Sequence, residues 1–139
     1  MKDSFVVDSS VGIAWVSPTQ QSAECDALLT DVAAGRRFVV PGLWMLEVAN
    51  VLLALRRRKR LTKGQSEQAR QALVRLLPVV DDEAPRLALG PIVDLANKQG
   101  LSAYDAVYLE LALRRGLPLA SRDGALNRAA AACGIERLL

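Results

Sequence analysis

The sequence predicts an α/β domain with a central, mostly parallel sheet of four or five short strands and helices on both faces. The length of 139 residues suits a single domain spanning residues 1–139. With 51% apolar residues, the chain can bury one sizeable core. Short apolar runs alternate with longer helical ones, a pattern typical of βαβ units and a parallel sheet.

Each predicted strand is a short apolar run that stops at a turn-forming or polar residue, as Phe5-Val6-Val7 stops at Asp8. The strands are predicted at 5–7, 37–40, 77–80 and 117–120, with 135–138 as the fifth if the sheet has one. The helices are predicted at 20–34, 43–60, 63–76, 84–99, 102–115 and 124–133. Open α/β sheets bind ligands beyond the carboxyl ends of their strands, so residues that follow strands are candidates for a site.

The chain contains no histidine. This excludes Ser-His-Asp and Cys-His nucleophile pairs, histidine-ligated zinc and a histidine general base. Any enzymatic chemistry must therefore rely on carboxylates, serine and lysine, with or without a metal ion.

The charge balance is mildly basic, with 18 Lys+Arg, 15 Asp+Glu and a net charge of +3. A basic surface favours nucleic acid or another anionic partner, although charge alone equally fits an ordinary soluble protein. One cationic run stands at the end of the 43–60 helix: Arg56, Arg57, Arg58, Lys59 and Arg60. It is either a solvated helix end or a patch that follows phosphates, and Arg122 is a second candidate for phosphate contact.

Other features indicate a cytoplasmic protein. The first eight residues, which reach Asp8 after three apolar residues, contain no signal-peptide core, and no apolar run is long enough for a membrane span. Cys25 and Cys133 lack metal-binding spacing and are expected to be reduced. With 4% aromatic residues, the chain is poorly supplied with side chains that could stack on single-stranded bases.

Three acids stand where helices begin. Asp8 follows the first strand, Asp105 lies three residues after Ser102, and Asp123 precedes Gly124. Each has a purely structural interpretation, as an N-cap, part of a capping box or a turn residue. The two interpretations are compatible, because a helix start at the edge of the sheet can also hold a carboxylate in place.

Glu47 is harder to explain structurally. Among residues 43–55 only Glu47 and Asn50 are polar, so the helix is expected to be largely buried. Leu43 and Val51, one turn to either side, offer no ion pair. An unpaired buried carboxylate is costly unless it becomes protonated or meets a cation. The alternative is a narrow solvated stripe formed by Glu47 and Asn50.

Clustered carboxylates repel one another unless a cation neutralises them. Oxygen ligands without histidine or cysteine suit Mg²⁺ or Mn²⁺. Such an ion can activate water and stabilise a phosphoryl group during displacement.

Four segments in this order resemble the PIN-domain nucleases, and most closely the VapC-type toxins of bacterial toxin–antitoxin pairs. The segments are Val7-Asp8-Ser9-Ser10, Glu47 to Leu52, Leu101 to Tyr108 and Leu117 to Leu126. The resemblance runs from about residue 5 to residue 135. No single motif is specific, but the order and spacing of the four are.

The resemblance implies a PIN-like fold and a Mg²⁺- or Mn²⁺-dependent endoribonuclease toxin. It makes Asp8, Glu47, Asp105 and Asp123 the catalytic and metal-binding residues. The supporting residues would be Ser9, Asn50 and Ser121. At the position of Ser121 the family more often has threonine.

The resemblance also implies partners. These are an RNA substrate, a small antitoxin that blocks the cleft and a second copy in a homodimer, with DNA bound only through the antitoxin. Apolar surface on the helices at 20–34 and 43–60 is the hypothesised antitoxin contact. No membrane partner is expected.

Two other functions fit the size and topology. A receiver-like phosphoacceptor domain would carry an acidic pair after its first strand and a lysine after its last. Here Asp8 is followed by Ser9 and Ser10, and the last lysine is Lys98. The other alternative is a non-catalytic interaction module, although all four acids are present.

Overall fold

The structure, a computed structural model, describes residues 4–139. Its sheet contains four strands, and every neighbouring pair is parallel. The strands are β1 (Phe5–Val7), β2 (Phe38–Pro41), β3 (Val79–Asp81) and β4 (Leu119–Ala120), in the order β3-β2-β1-β4. The predicted α/β class with a parallel sheet is confirmed.

The segment considered for a fifth strand forms only an isolated parallel bridge, between Leu119 and Arg137. The Leu119 N–H donates to the Glu136 carbonyl at 2.9 Å, and the Leu138 N–H donates to the Leu119 carbonyl at 2.9 Å.

The helices follow the predicted order, with one addition. They are α1 (Ser9–Val16), α2 (Ala23–Ala33), α3 (Leu43–Arg57), α4 (Lys63–Arg75), α5 (Ala84–Leu87), α6 (Val93–Gln99), α7 (Ala103–Arg115) and α8 (Gly124–Ala132). The predicted helices did not include α1, whose eight residues are mostly buried and show little amphipathic periodicity.

The helix predicted at 84–99 is interrupted. A π-helical turn at Ala88–Ile92 separates α5 from α6 and contains Pro91. Proline has no N–H to donate to the preceding turn, so the regular ladder cannot pass through it.

The two central strands are covered on both sides. Every residue of β1 and β2 is buried. Since successive side chains of a strand point to opposite faces, helices must pack on both faces of the sheet. Helix α7 contacts both strands directly.

Helix α3 is less buried than predicted. Its buried residues are Trp44, Val48 and Leu52, which recur every four residues along one face. Leu46 is 74% exposed and Leu53 is 50% exposed. The expectation of an almost fully buried helix is wrong, because apolar composition does not specify which side a helix buries.

Close contact between α1 and α3 depends on Gly12. A Cβ atom added there would lie 2.5 Å from Cζ2 of Trp44, which is fully buried. Trp44 packs against Phe38 of β2, and Phe38 meets Trp15 of α1 edge-on. The small residue therefore lets α1 approach the helix that carries Glu47.

Asp81, at the carboxyl end of β3, joins the sheet to α7. Its carboxylate accepts two hydrogen bonds from Arg114, at 2.8 and 3.0 Å, and one from Arg115 at 2.8 Å. The side chain is only 3% exposed. The hydrogen bonds from Arg114 lower the pKa of Asp81 to about 2.

No helix within residues 4–139 is long and apolar enough to cross a membrane. The predicted lack of a signal peptide rests partly on residues 1–3, which lie outside the described residues.

We expect Gly12→Ala to destabilise the protein by about 1–3 kcal/mol, the usual cost of overpacking a core. The new methyl group would press on the Trp44 ring. Gly64→Ala is the matched control, since Gly64 lies in α4 and a Cβ there meets nothing closer than 4.0 Å. Urea unfolding would measure both, and a Gly12→Ala protein as stable as the wild type would contradict the packing.

We expect Asp81→Asn to lose about 1–2 kcal/mol at neutral pH, after allowing for the partial exposure of the arginines. The folded-state pKa of Asp81 is depressed, so its stabilisation is present above the unfolded value of 3.8 and lost as the pH falls through about 2.

The difference between wild type and Asp81→Asn should therefore shrink between those two pH values. Denaturant unfolding at several pH values measures it. The neighbouring exposed acid provides the control, Asp82→Asn, which should have little effect. A pH-independent difference for Asp81→Asn would contradict the charge pairing.

Candidate active site

Asp8 is placed by the end of β1 and the start of α1. It is only 5% exposed, and its Oδ1 accepts the Val11 N–H at 3.4 Å as the N-cap of α1. The Asp8 N–H donates to the Ala120 carbonyl at 3.1 Å, which ties β1 to the end of β4. The predicted capping role is confirmed, and it fixes the carboxylate at the carboxyl edge of the sheet.

Two serine hydroxyls hold this carboxylate. Ser10 donates to Oδ1 at 2.5 Å, and Ser121 donates to Oδ2 at 2.6 Å. The Ser10 oxygen also accepts the Arg122 N–H at 2.9 Å. Ser121 is fully buried, and Asn127 donates to its carbonyl at 2.8 Å. Residues from both ends of the sequence therefore meet on Asp8.

Asp123 is linked to the same cluster through Ser121. Its N–H donates to the Ser121 hydroxyl at 3.0 Å. Its Oδ1 accepts the N–H groups of Ala125 and Leu126 at 2.8 and 3.4 Å, as the N-cap of α8. The cap directs one carboxylate oxygen to the helix, and Oδ2 has no hydrogen bond with any residue in 4–139.

Glu47 is half-buried on α3 and is not unpaired. Its Oε1 accepts a short hydrogen bond from the Tyr108 hydroxyl of α7. The Ser9 side chain also interacts with that hydroxyl. Asn50, one turn further along α3, is exposed and makes no side-chain hydrogen bond with the described residues. The solvated-stripe alternative therefore describes Asn50 better than Glu47.

Asp105 lies in the first turn of α7, where the Ser102 hydroxyl accepts its N–H at 3.1 Å. Its carboxylate makes no hydrogen bond within residues 4–139, so it does not close a capping box. The helix start positions the backbone of Asp105 and leaves the side chain available.

The four acids influence one another electrostatically. Burial raises the pKa of Asp8, Glu47 and Asp105. The negative charge of Asp123 raises the pKa of Asp8 and Asp105 further, and those of Asp105 and Asp8 raise the pKa of Glu47. Hydrogen bonds from Ser10 and Ser121 oppose the shift at Asp8, as does the Tyr108 hydroxyl at Glu47. The predicted acids are therefore brought together.

No ion pair among residues 4–139 involves any of these four acids. Their donor set is all carboxylate and hydroxyl oxygen, which fits a hard divalent cation. As the side chains stand, however, no three acids or cysteines in the described part of the chain are close enough to hold an ion.

The predicted basic residues lie at two places. The run from Arg56 to Arg60 ends α3 and turns away from it, with Lys59 at a φ of 59°. All five side chains are exposed, and none forms an ion pair with another described residue. Arg122 borders the acid cluster, where its guanidinium donates to the Gln20 carbonyl at 2.7 Å.

Three supporting residues were not predicted. Ser10, rather than Ser9, donates to Asp8, and Tyr108 and Asn127 hold Glu47 and Ser121. Tyr108 is buried in the core. Tyr108 follows Asp105 by three residues, which places both on one side of α7. This spacing is the sequence feature that could have identified Tyr108 as part of the site. Apart from their short separation along the chain, nothing in the sequence indicates that Asn127 contacts Ser121.

The comparisons with known proteins agree on one fold. The family model described as PIN domain matches residues 5–132. The crystal structure of PAE2754 from Pyrobaculum aerophilum is 19% identical, covers 99% of this chain and 85% of that one, and has a TM-score of 0.73. FitAcB from Neisseria gonorrhoeae is 18% identical, with coverage of 96% and 95% and a TM-score of 0.65.

A toxin–antitoxin complex from Klebsiella pneumoniae is also similar, at 18% identity, 86% coverage of each chain and a TM-score of 0.58. At such low identity, these likenesses establish the fold and not the activity. Comparison with curated proteins finds no match.

We expect Ser121→Ala to destabilise the fold by about 1–3 kcal/mol, because a buried hydroxyl that bridges Asp8 and the Asp123 N–H would be lost. Ser66→Ala in α4 is the control, since the Ser66 hydroxyl bonds no described residue. Thermal unfolding measures both. Equal melting temperatures for Ser121→Ala and wild type would show that this bridge contributes nothing.

Proposed function

The chain belongs to the PIN-domain family, and we propose that it is a metal-dependent endoribonuclease that acts as the toxin of a toxin–antitoxin pair. PIN domains are generally nucleases. The observation that carries the proposal is the cluster of Asp8, Glu47, Asp105 and Asp123. Burial raises the pKa of the first three, and no ion pair among residues 4–139 neutralises any of the four. The reaction would be hydrolysis of RNA phosphodiester bonds.

The same four acids would hold Mg²⁺ or Mn²⁺. A bound divalent ion would supply an activated water and neutralise charge on the phosphoryl group. Asp8 is best prepared for this role, since two hydroxyls and a helix start fix its orientation.

Glu47 has one oxygen held by Tyr108 and a second with no described partner. Because its pKa is raised, its carboxylate is a stronger proton acceptor than an ordinary glutamate. Ser9 and Asn50 would support the site from its edge.

Charge supports RNA as the substrate. The net charge is +3 although four of the acids are gathered in one cluster, so the remaining surface is more basic than the total suggests. Arg56, Arg57, Arg58, Lys59 and Arg60 are exposed and unpaired within the described residues, and Arg122 borders the acids. These would contact the phosphates of the strand.

The proposed partners are a small antitoxin that covers the site and a second copy of the chain. The similar structure from Klebsiella pneumoniae is a toxin–antitoxin complex. Exposed apolar residues on α3, including Met45 and Leu46, suit contact with a partner. Helix α2, the other half of the hypothesised contact, carries none of the exposed large apolar side chains among the described residues. DNA would be bound only through the antitoxin, and the location would be cytoplasmic.

The alternatives are less well supported. Lys98 lies in α6 and not after β4, where a receiver-like domain would carry its lysine. Against a non-catalytic module, all four acids and the hydroxyls that hold Asp8 are present.

We expect purified, antitoxin-free protein to cleave RNA in the presence of Mg²⁺ or Mn²⁺. We expect the cleavage to stop when EDTA is added. Asp8→Asn should lower the rate roughly a hundredfold or more, because several kcal/mol of charge stabilisation would be lost. Asp94→Asn, the same change at an exposed acid of α6, should retain activity. Gel analysis of cellular RNA provides the measurement.

Two results would contradict the proposal. One is wild-type protein that spares all cellular RNA with either metal. The other is cleavage that persists unchanged in Asp8→Asn, which would point to a contaminating nuclease or a different site.

A further inference from the structure

A cavity of about 430 Å³ lies beside the acid cluster. Its polar lining comes from Ser9, Ser10, Gln20 and Arg122. Ser10 belongs to both places, since its hydroxyl donates to Asp8 and accepts the Arg122 N–H. The cavity therefore adjoins the carboxylates, and none of the proposed catalytic acids lines it.

The aliphatic part of the lining, which we call the floor, is formed by Ile13 of α1 with Val51 and Leu55 of α3. Val51 and Leu55 follow Glu47 at intervals of four residues, so the three lie along one face of the helix. Eight residues of helix span about 12 Å. The α3 side of the cavity thus lies between Glu47 and Arg56, where the cationic run begins.

We propose that this cavity is a subsite for one nucleotide of the RNA strand, next to the phosphate that is cleaved. The inference rests on the proposed function and adds to it a place where sequence can be recognised. An aliphatic floor with a few polar groups is the usual construction of a small-molecule site of this size. The floor would contact the face of a base, which needs no aromatic side chain.

The polar part of the lining, which we call the rim, has the chemistry needed to bind a nucleotide. The Gln20 amide can both donate and accept, as the mixed edges of bases require. The Ser10 hydroxyl is already engaged with Asp8 and the Arg122 N–H, so it holds the lining in place. Among the described residues, Arg122 is the only charged one in the lining, and its hydrogen bond to the Gln20 carbonyl holds it at the rim. A cation there, with the cationic run beyond Leu55, favours a phosphate-bearing strand over a basic protein side chain.

The test fills the cavity and leaves the acids intact. Val51→Trp would place an indole on the floor, and Leu53→Trp is the matched control on the same helix. Leu53 is exposed, does not line the cavity and points to the other side of α3. Single-stranded RNA oligonucleotides are the probe, with cleavage kinetics measured in Mg²⁺ and binding measured by fluorescence anisotropy in EDTA.

We expect Val51→Trp to raise both the KM for cleavage and the Kd in EDTA by at least about tenfold, while Leu53→Trp stays near wild type. Gln20→Ala is the second variant, in case Val51→Trp does not fold by circular dichroism. It keeps the backbone carbonyl that holds Arg122, and should alter base preference beside the cut in a randomised RNA pool.

The two proposals can fail separately. If wild-type protein cleaves RNA while Val51→Trp and Gln20→Ala keep its KM, Kd and base preference, the subsite is wrong and the nuclease function stands. If Val51→Trp weakens binding of an antitoxin but not of RNA, the cavity is a protein contact and the inference is overturned. Wild-type protein that neither cleaves nor binds RNA would overturn both.

Discussion

The geometry of the site depends on burying one carboxylate, Asp8, at the carboxyl end of β1. Burial disfavours the charged form, and the cost is offset by two serine hydroxyls and the start of α1. Ser10 comes from the helix just after the strand, and Ser121 from beyond β4, more than a hundred residues later. The same contacts that make the charge tolerable also bring the Asp123 segment into the site.

A second buried acid shows that the chain could have neutralised this charge. Asp81 also lies at the carboxyl end of a strand, and its burial is similar to that of Asp8. Arg114 and Arg115 bind it, and its pKa falls to about 2. The pKa of Asp8 rises instead, because burial disfavours its charged form, the serine hydroxyls offset this only in part, and Asp123 adds a negative charge. The difference separates an acid that fastens α7 to the sheet from an acid that forms no ion pair within residues 4–139.

Much of this arrangement was predictable from the chain. The four strands and the parallel sheet follow from apolar runs and their spacing, and membership of the PIN-domain family confirms the resemblance carried by four motifs. Other features were not predictable. Helix α1 has too few polar residues to show a period, Pro91 breaks a helix into a π turn, and the residues that hold Glu47 and Ser121 come from other elements.

The sequence by itself determined which chemistry is possible. A chain without histidine and with acids at the starts of helices can build a polyvalent site only from oxygen, and local rules of capping place each acid on its own element. The tertiary structure decided which acids meet and in what state. Whether a carboxylate has a hydroxyl, an arginine or another acid beside it depends on contacts between distant segments. Those contacts give Asp8 and Asp81 different neighbours. The sequence alone does not show this difference.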